Sequence, residues 1–114
     1  MNRGDIYLVD FSDNVGSEQA GLRPAVIVQN ECHNKSSPTT IVCPMTSRQK
    51  KETGTHVTLS PEDCGVRTTS IVLCEQIRVI DKSRMVRKVG TVTQQKILDI
   101  NKKLMVSIGL SIGD

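Results

Sequence analysis

The chain has 114 residues and a net charge of +3, with 37% hydrophobic and 24% charged residues. That composition describes one ordinary globular domain, residues 1–114, with apolar material for its own core and no charge excess that demands nucleic acid. Tyr7 and Phe11 are the only aromatics and there is no Trp, which excludes a single-strand binder built mainly on aromatic stacking.

In chain order, Asp5–Phe11 (DIYLVDF) is apolar on both faces, as in a strand buried from two sides or lying at an interface. A polar loop follows, in which Gly16 and Gly21 bracket one acid, Glu18. Arg23, Pro24 and the apolar run Ala25–Val28 then predict a second strand over Pro24–Gln29, with Pro24 confined to its first position or to an edge. Asn30–Pro38 (NECHNKSSP) reads as turns. Thr39–Thr46 predicts a third strand, in which Pro44 marks an edge or a bulge. Ser47–Thr55 is an exposed loop carrying Arg48, Lys50 and Lys51.

His56–Ser60 alternates, with Val57 and Leu59 inward and His56 and Thr58 outward. Pro61–Gly65 is a tight turn or one helical turn, and Thr69–Ile80 is the longest strand signal. Asp81–Lys88 holds Lys82, Arg84, Arg87 and Lys88 without a further acid. From Thr93, a candidate N-cap, the period becomes helical, with Ile97, Ile100, Leu104 and Ile108 on one face and an end near Leu110. Five or six strands followed by one helix predict an α+β, β-rich fold with an antiparallel, partly closed barrel.

The charge is unevenly spread: residues 1–22 hold four acids and one base, residues 82–114 seven bases and two acids. A basic C-terminal third fits a polyanionic partner or a solvated helix face. The cysteines Cys32, Cys43, Cys64 and Cys74 form no C-x-x-C pair, so zinc and thioredoxin-like motifs are absent. The opening MNRGD is not a secretory signal and no apolar run approaches ~20 residues, so a cytoplasmic protein with free thiols and no membrane span is expected.

An arginine fixed where a flexible acidic loop feeds a buried strand is suited to gripping a phosphate, because its planar fork is always charged. Thr46 and Ser47 end the third strand beside Arg48, where a hydroxyl can donate to a phosphate oxygen. Glu75 shares an apolar strand face with Ile71, Leu73, Ile77 and Val79 if the strand is regular. Desolvation there would raise its pKa and suit a general base, whereas a bulge or a basic neighbour would remove that effect. Nothing places His33 and His56 together. No nucleotide-binding, zincin or serine-hydrolase motif occurs.

The blocks RGDIYLVDF (3–11), GSEQAGLRPAVIVQN (16–30), the Thr46 ending of TTIVCPMTS and CEQIRVIDKSRM (74–85) resemble the MazF/PemK type of bacterial toxin. They cover nearly the whole chain in order, and the GSEQ-x-G-x-RP block is the specific one. The resemblance implies an SH3-like barrel with a C-terminal helix, a symmetric homodimer, and a metal-independent, sequence-selective endoribonuclease silenced by an antitoxin. It also implies that Arg23 and Thr46 are catalytic and that Glu18 is the acid of the preceding loop. Glu75 falls where the PemK branch has a catalytic aspartate. Leu73 stands where that branch has a second working arginine, so the chain is closer to the MazF branch.

Such chemistry on single-stranded RNA (mRNA) needs no cofactor. Arg23 and Thr46 would stabilise charge on the phosphoryl oxygens, with Glu18 or Glu75 as base. Ser17, Gln19, Ser47, Arg48, Lys50, Lys51, Gln76, Arg78 and Arg84 are the candidate RNA contacts, the two glutamines reading base edges. The antitoxin is expected to compete for the same groove. The rival class is a non-enzymatic toxin of the CcdB type that binds DNA gyrase on the same fold, for which the Arg23/Thr46 pair is unnecessary.

Overall fold

A computed structural model describes residues 1–12, 16, 21–48, 51 and 53–110. Strands β1 (Asp5–Asp10), β2 (Leu22–Ile27), β3 (Thr39–Thr46), β4 (His56–Leu59), β5 (Ser70–Leu73), β6 (Arg78–Asp81) and β7 (Met85–Thr91) pair antiparallel throughout. Their order is β4-β5-β3-β2-β1-β7, with β6 also on β3. Helices α1 (Glu31–Ser36) and α2 (Pro61–Cys64) are short, and α3 (Gln94–Ser107) is the long C-terminal one. The fold is α+β and β-rich, as expected.

β3 is the centre. Its first half pairs with β6 (Thr39–Val42) and its end with β5 (Met45 and Thr46), so the sheet turns over along this strand. Pro44 lies between those two ladders, where a missing N–H costs least, although β3 is no edge strand. Pro24 stands opposite Leu8 in β2, just before the ladder to β3 begins at Ala25.

Strand alternation feeds two cores, one on each face. Ile6, Val26, Cys43 and Met45 join Val57, Leu59, Val72 and Ile100 in the larger one, against which Ile97 and Leu104 of α3 pack. Val9, Phe11, Ala25, Ile27, Val42 and Ile80 form the other. The two-sided apolarity of residues 5–11 follows: Ile6 serves one core, Val9 and Phe11 the second. Fully burying Ile100 contributes about 2 kcal/mol to holding α3 on the sheet. Arg3 adds a tie, its Nε donating to the Val28 carbonyl at 2.8 Å and its Nη2 to Asn101 at 2.7 Å.

Several expectations are corrected. The 30–38 segment contains α1, started by the Asn30 side chain, which accepts from the His33 N–H at 2.9 Å. Inside it, buried Asn34 donates to the Gln29 carbonyl and accepts from the Thr40 hydroxyl, bonds across the fold that no local pattern announces. The Thr69–Ile80 run is two strands broken by a 3-10 turn, Cys74–Gln76, so the count-by-two register does not survive across it. β7 went unpredicted because its exposed bases mask an edge strand, which brings the strands to seven. Thr93 takes the N-cap position of α3 without a side-chain cap bond, and Ile108 lies beyond the helix end, exposed. His56 is buried rather than outward, because α3 and the 74–76 turn pack against β4.

The cysteines are free, Cys32 exposed and the other three buried. The Cys43 thiol is pushed up by its hydrogen bond with Cys74 and by burial, and stays protonated. Among the described residues no helix is long and apolar enough to cross a membrane.

Candidate active site

Arg23 is the half-buried second residue of β2, two before the buried run Ala25–Ile27, and Thr46 ends β3. The β2–β3 ladder ends with Ala25 opposite Pro44, so Arg23 and Thr46 each lie two residues beyond that last pair. Alternation sends Arg23 with Ala25 and Ile27, and Thr46 with Val42, to the face of the second core. The two residues expected to share a phosphate therefore share one corner of the sheet.

Thr46 is 2% exposed, and its Oγ1 accepts the Arg48 N–H at 3.1 Å. A hydroxyl that accepts one bond still has its own proton to give. That proton has no acceptor among the described residues. The same bond ties the strand end to the exposed Ser47–Arg48 stretch, with Lys51, also exposed, further along the connection.

Arg78 lies opposite Val42, hence on this same face, and its guanidinium sits 5.4 Å from the centre of the Phe11 ring. Stacking on an aromatic ring orients a guanidinium without neutralising it. Phe11 closes the root of the acidic loop through its N–H to the Gly21 carbonyl at 2.8 Å. Arg84 reaches that root as well, donating to the Asp10 carbonyl at 3.4 Å. Sequence pattern gave no hint of the Phe11 contact, because it joins residues far apart in the chain. Ser17, Glu18, Gln19 and Lys50 lie outside the described residues.

Glu75 is elsewhere and in a different state than expected. Ile71 is the partner of Thr46, Leu73 lies roughly 7 Å further along β5 at strand rise, and Glu75 is beyond it in the 3-10 turn with half-buried Gln76. Partial burial pushes the Glu75 carboxyl up. Its own backbone N–H, the Thr55 hydroxyl and His56 together outweigh that and leave it below the ordinary range. Both oxygens are engaged: Thr55 donates to Oε1 at 2.9 Å and His56 Nε2 meets Oε2 at 3.2 Å. Of the two readings of Glu75, the one in which an irregularity removes the pKa rise holds, because the turn swings the carboxylate off the apolar face to two polar partners. Among the described residues the buried Nδ1 of His56 has no partner, and the imidazole's hydrogen bond there is to Glu75.

Among the described residues no group of three or more His, Cys, Asp or Glu side chains is placed to hold a metal ion. A family model described as the PemK-like, MazF-like toxin of type II toxin–antitoxin systems matches residues 2–108. The chain belongs to this toxin family. Endoribonuclease MazF of Staphylococcus saprophyticus subsp. saprophyticus is 42% identical over 111 residues, covering 96% of this toxin and 92% of that protein. Among solved structures, MazF from Deinococcus radiodurans has a TM-score of 0.84 at 25% identity, over 96% of this chain and 97% of that one. A mycobacterial endoribonuclease in complex with its cognate antitoxin shares the fold, with a TM-score of 0.83 at 24% identity over 99% of each chain.

Proposed function

We propose that this toxin is an endoribonuclease that cuts single-stranded RNA, mRNA included, at short sequences, without a metal, as a homodimer silenced by its antitoxin. The observation that supports this reading is that Arg23 and Thr46 each lie two residues beyond the last β2–β3 pair, Ala25 and Pro44, in a chain whose 42% identical relative is named an endoribonuclease. The gyrase-binding alternative requires no such pair.

The simplest metal-free cleavage uses the neighbouring 2′-OH. Its oxygen attacks phosphorus and the bond to the 5′-oxygen breaks, that oxygen taking a proton from solvent; the ends are a 5′-OH and a 2′,3′-cyclic phosphate, which water can open to a 3′-phosphate. Arg23 binds two phosphoryl oxygens with its fork and gains strength as charge develops there. Thr46 donates its unused hydroxyl proton to the same oxygens, from a site dry enough that the interaction is little screened.

Glu75 is already engaged by Thr55 and His56, which makes it a poor base and leaves Glu18 as the carboxylate to take the 2′-OH proton. Arg78, Arg84, Arg48 and the lysines Lys50 and Lys51 hold the backbone on either side. Ser17, Gln19, Ser47 and Gln76 meet the splayed bases.

The test is cleavage of a long single-stranded RNA in EDTA by wild type and by Arg23→Ala. Discrete fragments with 5′-OH ends from wild type, and a rate lower by about 10²–10³ in the variant, are expected. A folded wild type that leaves the RNA intact, or a variant as fast as wild type, would sink this mechanism.

A further inference from the structure

The turn Cys74–Gln76 has little to hold it from within. It spans three residues, and its closing bond, from the Ile77 N–H to the Cys74 carbonyl, is long at 3.3 Å. Its N-cap residue, Leu73, makes no side-chain cap bond. What fixes the turn comes from Thr55, just before β4, and His56, the first residue of β4. The Cys74 N–H donates to the Thr55 carbonyl at 3.1 Å, the Thr55 hydroxyl donates to Glu75 Oε1 at 2.9 Å, and His56 Nε2 meets Oε2 at 3.2 Å. Two consecutive residues thus grip the backbone of one turn residue and both carboxylate oxygens of the next. His56 is itself fixed: it is 6% exposed, stands opposite Leu73 in the β4–β5 ladder, and lies in a strand against which α3 packs.

We propose that Thr55 and His56 are positioning residues: acting through Glu75, they fix the turn from which Gln76 and Arg78 reach the RNA, and so set which bases the toxin accepts. The inference rests on the nuclease reading above and gives Glu75 a task in it other than proton transfer. The chain order carries it. Glu75 directly precedes Gln76, a candidate base reader. Two residues further on, Arg78 opens β6 opposite Val42 and sits over the Phe11 ring at 5.4 Å. A rotation of the turn therefore moves both. Discrimination between bases depends on hydrogen bonds in fixed directions, so misplacing the reader by about 1 Å weakens it without removing any group. A carboxylate held at both oxygens keeps one orientation, and one held at a single oxygen can swing. Thr46 stands opposite Ile71, before the turn begins, and Arg23 lies on another strand. The clamp thus acts on binding and selectivity and leaves the phosphate to Arg23 and Thr46.

The experiment maps the wild-type cut site on a long RNA. It then compares single-turnover cleavage of a short RNA bearing that site with cleavage of the same RNA changed at one base at a time. Thr55→Val and His56→Leu each remove one bond to Glu75. Both are expected to raise the toxin concentration at half-maximal rate about tenfold, with the maximal rate within about threefold of wild type. The preference for the matched base should narrow by about five- to tenfold at one position or more. Thr55→Ser, which returns the hydroxyl, should restore both. Thr55 is only half-buried, so Thr55→Val is expected to fold even if His56→Leu does not, and a thermal melt of each variant reads this. A folded Thr55→Val protein with wild-type base preference would overturn the proposal. So would a loss confined to the maximal rate, which would return Glu75 to proton transfer. A wild type that binds RNA without cutting it would remove the nuclease reading alone. Binding of the same RNA set then decides: a flattened order of affinities in Thr55→Val supports the clamp, and the wild-type order overturns it. A wild type that neither binds nor cuts RNA would overturn both.

Discussion

Replacing Thr46 by Val keeps shape and volume and removes only the hydroxyl. Two interactions go with it. The Arg48 N–H loses its acceptor at 3.1 Å, which costs about 1 kcal/mol at most, because Arg48 is exposed and water can take the place. For a chain of 114 residues that is about 4 °C of melting temperature. The second loss is the donor to the phosphoryl oxygens, worth about 10²-fold in rate, or roughly 2.7 kcal/mol of transition-state stabilisation. The two are separable by size. A domain stable by about 5–15 kcal/mol that gives up 1 kcal/mol still has far less than 1% of its molecules unfolded, too few to explain a hundredfold slower enzyme. Single-turnover cleavage of a defined RNA, beside a thermal melt of the same preparation, measures both, with Thr46→Ser as the control that restores the hydroxyl. Val slow, Ser near wild type and both folded is the expected pattern. Wild-type cleavage by a folded Thr46→Val protein would refute the role of this hydroxyl.

Glu75 makes a prediction in pH. Its folded pKa lies below the ordinary glutamate value of about 4.3, so its contribution to stability is present above that value and is lost as pH falls through the folded pKa. Wild type should therefore lose, as pH falls below the ordinary glutamate range, a fraction of ~1 kcal/mol that Glu75→Gln never had, the site being partly exposed and screened. Denaturant titrations at several pH values would show it, and parallel pH profiles would count against the His56–Glu75–Thr55 cluster. Gly90→Ala should destabilise by about 1–3 kcal/mol, because the added methyl meets the Cys64 backbone carbonyl, which cannot rotate away. An unchanged melting temperature would mean that the α2 turn is free to shift.

Period and punctuation made most of the β-rich architecture legible. Thr39–Thr46 has the expected bounds, and α3 differs from its expected span only at its C-terminal end. Both rest on local signals: β-branched runs bounded by turn residues, and isoleucines at helical spacing after Thr93. The failures came where distant partners decide. β3 must serve β2, β5 and β6, and the 74–76 turn allows the chain to leave one pairing and enter another, which no twelve-residue window reveals.

The chemical types at the site were also present in the chain itself: an arginine at a strand mouth, a threonine at a strand end, a glutamate in a glycine-bracketed loop. Local sequence determines such things because residue type and strand ends are short-range properties. The tertiary structure decided the rest. It ended the β2–β3 ladder two residues short of both Arg23 and Thr46, and decided between the two readings of Glu75, making it a carboxylate held by Thr55 and His56. It also aimed Arg78 across Phe11. Each of these joins residues that are far apart in the chain, and their energies depend on burial and on partners that exist only once the sheet has closed over its two cores.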